Sequence, residues 1–180
     1  MKRNRWMKIV LATLLLTSVL HVVIALVIPH AITAIFMSRV AQQAGTNRVI
    51  TPPPPTDKSR QVVKPSPDLL YATCIYDVSA GPVRVSIAPP ASYWSVSLFG
   101  RNTDNFFTIN AADIKVGRAE LILGSAKDAT AAKQRFPAAT FVQTPQTTGV
   151  LLARILVLDQ TNMNAALDAQ KSVRCDAITG

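Results

Sequence analysis

The sequence predicts a mainly β domain, an antiparallel sandwich or barrel-like sheet with one C-terminal helix, preceded by a single transmembrane helix. Three observations carry that expectation. Residues 9–28 contain no charged side chain. Residues 71–110 fall into runs in which apolar and polar positions alternate, separated by clusters of turn residues. Beyond Asn162, apolar side chains recur at helical spacing. A chain of 180 residues has room for one modest globular domain and some accessory sequence.

The charge is unevenly placed. The first 64 residues carry nine Lys or Arg against Asp57 alone, whereas the remainder carries ten basic residues against nine acidic ones. A nucleic-acid-binding domain needs its basic face on the folded unit, where it neutralises phosphates. Here the excess flanks an apolar run and fills a linker, so it speaks of membrane topology and no nucleic-acid partner is expected.

Residues 1–8 form a basic N-terminus, with Lys2, Arg3, Arg5 and Lys8. The apolar run that follows, interrupted only by Thr13, Thr17, Ser18 and His21, spans about 30 Å as a helix, the thickness of a hydrocarbon core. The anchor is placed at residues 9–31, with membrane lipid as its partner. Apolar residues continue past Pro29, so the helix is expected to tilt, kink there or run on as an amphipathic extension. A cleaved signal is the competing reading, but the run is longer than such signals use, and Ala44, the natural cleavage site, has Gln42 two residues before it. The basic excess before the span places the N-terminus in the cytoplasm and the domain outside the membrane, an arrangement that in a bacterial chain is expected to mean the inner membrane with the domain in the periplasm. His21 and His30 have no acidic or Cys partner in the segment and are read as tolerated neutral imidazoles or helix contacts.

Residues 32–67 are expected to be a juxtamembrane and Pro-rich linker. Prolines 52–55 favour polyproline II, a stiff spacer able to hold a domain up to roughly 50 Å from the bilayer.

The exported domain is placed at residues 68–180. Residues 69–78 and 83–87 flank the turn cluster Ser79, Ala80, Gly81 and Pro82; Trp94, Val96 and Leu98 alternate with Ser95 and Ser97; Phe106, Phe107 and Ile109 follow a polar turn. Residues 120–123 and 141–144 read as shorter strands around a helical turn or exposed loop. Residues 150–158 are apolar on both faces apart from Arg154, as in a central strand covered on each side. Asn162 is expected to cap a short helix reaching Val173.

Several spaced motifs together resemble the bacterial domain-of-unknown-function family 1254. They are Asp68-Leu-Leu-Tyr71, Tyr76-Asp77-Val-Ser-Ala-Gly-Pro82, Tyr93-Trp-Ser-Val-Ser-Leu-Phe99 and Gly149-Val-Leu-Leu-Ala-Arg154, with Gln170 on the closing helix. The match covers about residues 65–175. Ser66 stands where that family usually has Asn. The resemblance implies a β-rich fold and often a second domain of unknown function, and it supplies no reaction.

Candidate site residues come from the densest polar and aromatic group. Arg101, Asn102, Asp104 and Asn105, taken with Tyr93 and Trp94, offer hydrogen bonds and stacking to a sugar or peptide, although Asn and Asp also suit tight turns. Arg154 needs a counter-charge, for which Asp77, Asp68 or Asp104 is expected, or else the carboxylate or phosphate of a ligand. Cys74 and Cys175 are candidates for a disulfide closing a loop of about 100 residues. With no His beyond residue 30, a Ser-His-Asp or Cys-His site in the domain is excluded. Typical zinc ligation and the Gly-rich phosphate cradles lack their residues, so no metal or cofactor is expected. The leading expectation is a non-enzymatic envelope protein that binds another envelope protein or a ligand. The alternative is a hydrolase using two of Asp68, Asp77, Asp104, Asp113 and Glu120 on an envelope glycan or similar polymer.

Overall fold

The computed structural model describes residues 2–60, 64–114 and 117–178; residues 61–63 of the expected linker lie outside them. Helix α1, Lys2–Ala44, is one helix of 43 residues with Pro29 inside it, about 65 Å long. Proline removes a backbone donor and so frees a carbonyl one turn earlier. His30 Nδ1 lies 3.0 Å from the Leu26 carbonyl in that same turn. A carbonyl only accepts, so this nitrogen carries the hydrogen; the bond falls on the carbonyl next to that of Ala25, which is the one Pro29 leaves without a backbone donor.

The helix is not interrupted at Pro29. It runs on, and its last turns dock on the domain. Met37 and Val40 are buried against Ile75 and Val150, with Phe36, Ala41, Ile50 and Phe99 packed around them. The linker is therefore no free spacer. It begins as helix, turns at Gly45 with φ +85°, and enters the sheet as strand β1, Val49–Ile50.

Two sheets face one another. The first has the order β1-β2-β8-β4-β5, where β2 is Leu69–Asp77, β4 Trp94–Gly100, β5 Asn105–Asn110 and β8 Thr148–Leu156. All its pairings are antiparallel. The second has the order β7-β6-β3-β9, where β3 is Val83–Ile87, β6 Ala119–Gly124, β7 Thr140–Gln143 and β9 Arg174–Ala177. The core lies between them. Leu70, Ala72, Cys74 and Tyr76 of β2, Trp94, Val96 and Leu98 of β4, and Leu151, Ala153 and Ile155 of β8 pack with Val83, Val85, Leu121 and Leu123 of the opposite sheet. Period-two alternation thus fixes which face of each strand is buried. The fold is the expected sandwich.

β8 is central, paired along nine residues with β2 and seven with β4. Its inner face meets the core and part of its outer face meets α1, which accounts for its apolar character on both sides. Gly149 in this strand has a steric cause, because a Cβ there would run into the Tyr76 phenol and the Phe99 carbonyl.

Three details depart from the expected pattern. β7 pairs parallel with β6, and a parallel neighbour needs a crossover; helix α2, Ala129–Arg135, supplies it where the sequence left a choice between helical turn and loop. Strands β1 and β9 were not anticipated, both being short and lacking alternation. Helix α3, Met163–Ser172, begins at Asn162 without a side-chain cap, since Asn162 Oδ1 accepts instead from the Leu158 and Asp159 amides at 3.0 and 3.2 Å. Ala166, Ala169 and Gln170 form its buried side.

A Cys74–Cys175 disulfide joins β2 to β9, with Cα atoms 6.5 Å apart across a separation of 101 residues. It links one sheet to the other through the core.

Candidate functional site

The polar and aromatic residues singled out in the sequence do not converge. Residues 101–104 form the hairpin turn between β4 and β5, held by Gly100 N–H to the Asp104 carbonyl at 2.9 Å and by Thr103 at φ 73°. Asn102 donates to the Asp104 carboxylate, Asn105 to Thr108 Oγ1 at 3.1 Å, and the Arg101 amide to Gln146 Oε1 at 2.8 Å. These side chains build the turn. Tyr93, 51% exposed, precedes the other end of β4, so roughly 25 Å of strand separates it from that turn. Trp94 is 1% exposed and belongs to the core, so its ring offers no stacking platform. Closeness in sequence misleads here because an extended strand carries its two ends apart.

Arg154 lies on the outer face of the first sheet, in register between Tyr71 of β2 and Ser95 of β4. The expected ion pair with Asp68, Asp77 or Asp104 does not form; an ion pair joins Arg84 to Glu120 at 2.7 Å, on the other sheet. Arg154 Nη2 donates to Ser97 Oγ at 3.4 Å, while its Nε and the Ser95 hydroxyl are buried without partners. Half-burial lets the rest of the guanidinium keep its water, which is why no carboxylate is required.

Three of the candidate carboxylates are engaged locally. Asp77 accepts from the Ser79 amide at 2.8 Å, Asp113 from the Asn110 amide at 2.9 Å, and Glu120 holds Arg84. Each stabilises its own turn or strand. Two others are held below the usual carboxylate range, Asp128 chiefly by the Ser125 hydroxyl and Asp159 chiefly by the Thr161 hydroxyl. Burial pushes the Tyr76 phenol far up, so it stays neutral.

The concave feature lies elsewhere. Between the docked end of α1, the proline segment and the outer face of β2 and β8 is a cleft of about 660 Å³, within the range of small-molecule sites. Phe36 and Val40 line it from the helix, Pro52–Pro55 from the linker, and Thr73 and Leu152 from the sheet. Lys58, Arg60 and Lys64 also line it, and no acidic side chain does.

The wall opposite the helix has a definite cause. β1 covers only Thr73 and Cys74 of the longer β2, and the prolines that follow have no N–H with which to continue the ladder. The Tyr71 carbonyl on that edge is met instead by Gln170 Nε2 at 2.7 Å, and the same nitrogen reaches the Pro52 carbonyl at 3.0 Å. Gln170, 3% exposed, thus pins the proline segment beside the sheet. At the other end of β1, Asn47 substitutes for a strand residue. Its side chain donates to the Asp77 carbonyl at 2.9 Å and accepts from the Asp77 amide at 2.8 Å.

The sequence reading missed Asn47 and the role of Lys58, Arg60 and Lys64, which it counted only as linker charge. The alternation signal cannot find them, because none lies in an alternating run. Gln170 was noticed as part of a motif, but its task became visible only with the edge it covers.

The profile of a protein family of unknown function, DUF1254, matches residues 46–177. The chain belongs to that family. The match begins just after α1, so the DUF1254 stretch takes in β1, the proline segment and both sheets. By structure the chain is similar to the VPA0106 protein of Vibrio parahaemolyticus, with a TM-score of 0.62, 14% identity, 82% of this chain covered and 35% of that one. It also matches an uncharacterized protein from Burkholderia cenocepacia with a TM-score of 0.45 and 16% identity, over 77% of this chain and 38% of that one. The chain therefore spans about a third of the length of the Vibrio protein, and that likeness concerns the fold alone. No curated protein matches by sequence.

Proposed function

We propose that this chain is a single-pass protein of a bacterial inner membrane that holds its DUF1254 domain directly at the periplasmic surface as a binding module. The observation that carries the reading is that anchor and domain share one element. α1 is long and apolar enough to cross a bilayer, it leaves large apolar side chains from Trp6 to Ile35 exposed, and its last turns are buried in the domain. An exposed apolar stripe of that length is costly in water and favourable in lipid.

The packing also argues for an anchor that is retained. Cleavage at Ala44 would remove Met37 and Val40 and uncover Ile75 and Val150 beneath them. The disulfide suits an oxidising compartment, and the basic residues before the span suit a cytoplasmic N-terminus. An apolar cleft lined by cations is suited to holding a ligand.

The test is a pair of C-terminal fusions, to alkaline phosphatase and to a fluorescent protein that matures only in the cytoplasm, with carbonate extraction of membranes. Active phosphatase, a dark fluorescent fusion and retention in the carbonate pellet are expected. A soluble product shortened at its N-terminus would overturn the reading.

A further inference from the structure

Resting on the membrane-anchored reading above, we propose that the cleft receives one acyl chain of an anionic phospholipid from the adjoining leaflet, with the headgroup phosphate held by Lys58, Arg60 and Lys64. Three observations lead there. The first is continuity with the bilayer. The helical wall of the cleft begins at Ile32 and Thr33 and continues through Phe36 and Val40, a single face of α1 at helical spacing. Residues 9–28 already match the thickness of a hydrocarbon core, although the charge-free sequence runs on to Ser38; with residues 9–28 in that core, the cleft opens about 6 Å further along the helix, at headgroup level. A hydrocarbon chain entering there stays out of water for nearly its whole path.

The second observation is the chemistry of the walls. Phe36, Val40, Ile50, Leu152 and the proline rings offer apolar surface and few hydrogen-bonding groups, which fits an alkyl chain and fits a sugar poorly. Three polar groups along this wall are already paired, the Pro52 and Tyr71 carbonyls with Gln170 and the Thr73 hydroxyl with the Leu151 carbonyl at 2.9 Å.

The third is charge. Lys58, Arg60 and Lys64 are exposed side chains lining the same cleft. Arg60 Nη1 donates to the Asp57 and Ser59 carbonyls, both at 2.7 Å, which fixes the guanidinium beside the cleft. Three cations without an acidic neighbour in the lining are complementary to a phosphate at the membrane surface, where each basic residue adds about fivefold in affinity for anionic lipid.

The experiment uses the full chain in nanodiscs of phosphatidylglycerol doped with a phosphatidylglycerol whose acyl chain ends in a diazirine. Cross-links are mapped by mass spectrometry. Labelling of Phe36, Val40, Leu152 or the proline segment is expected, in addition to the residues 9–31 that any surrounding lipid reaches. The exposed triple variant Lys58→Gln, Arg60→Gln, Lys64→Gln should lower the cleft labels at least about tenfold and leave labelling of residues 9–31 unchanged. Thr33→Trp, which fills the mouth, should remove the cleft labels. A phosphatidylcholine probe should label the cleft as weakly as the triple variant does, and added inorganic phosphate should not compete.

Labels confined to residues 9–31 while the chain stays in the nanodisc would overturn the inference and leave the anchor standing. Equal labelling by the two lipids, or by the triple variant, would overturn the headgroup assignment. Competition by inorganic phosphate would replace the lipid by a free anion. A chain that fails to enter nanodiscs at all would remove the anchored reading and this inference together.

Discussion

Asn47 is the residue on which the docking of α1 onto the sheet is expected to turn. Its backbone is left-handed, at φ 55°. Its amide donates to the Ile75 carbonyl at 2.8 Å, and its side chain satisfies both polar groups of Asp77 at 2.8 and 2.9 Å. Substitution separates these contributions. Asn47→Gly keeps the backbone conformation at no steric cost and loses two hydrogen bonds, each worth about 1 kcal/mol net, hence about 2 kcal/mol. Asn47→Ala loses the same bonds and adds about 1 kcal/mol for placing a Cβ in the left-handed region, about 3 kcal/mol in all. In a domain of this size those losses lower the melting temperature by about 7 and 11 °C. The sharper assay is hydrogen exchange, because the Asp77 amide is the very group that loses its acceptor. Its exchange in Asn47→Gly should quicken by about 30-fold if local opening governs it. Unchanged protection of Asp77, or an Ala variant no less stable than the Gly variant, would refute the reasoning.

Three further outcomes are expected. Gly149→Ala should destabilise by about 3 kcal/mol, since relief needs a shift of the Phe99 backbone; in a Tyr76→Ala background the same change should cost less, and urea midpoints of the four proteins measure the coupling. Reducing the Cys74–Cys175 bond, or Cys74→Ala, should lower stability by up to about 5 kcal/mol for a closed loop of 101 residues in sequence; two free thiols in a non-reducing alkylation and mass measurement would count against the bridge. The depressed Asp128 carboxyl contributes stability that is present above its ordinary value of 3.8 and lost as pH falls through its lower folded value. Ser125→Ala should therefore be less stable than the parent above about pH 5 and converge with it in acid, as melting at several pH values will show.

The sandwich was readable because β3 and β4 alternate strictly. Residues 83–87 and 94–98 declare their buried faces without help from the rest of the chain. β8 was readable for the opposite reason, as a strand covered on both sides shows no alternation at all. β1 and β9 were not, since their two and four residues derive their pairing from β2 and β3 and not from any pattern of their own. The site fared worse than the fold. Trp94 and the 101–105 turn looked like one cluster because a one-dimensional reading cannot tell a strand's buried face from its exposed one when aromatic and polar residues adjoin. The cleft was invisible for a related reason. Its walls come from three separated stretches, and the prolines taken as a spacer become a wall only when Gln170, more than a hundred residues later, holds them.

On the proposed anchored reading, the unbroken course of α1 into the sandwich has a mechanical result. No hinge isolates the domain from the angle at which its anchor crosses the bilayer, and helices in membranes adopt tilts from zero to about 40°. Over a rod of roughly 65 Å, a change in tilt of about 10° swings the far end by roughly 10 Å. An anchor of this kind makes local bilayer thickness set how the sheet faces the space around it, so that the domain would act as a pointer whose heading is written by the membrane.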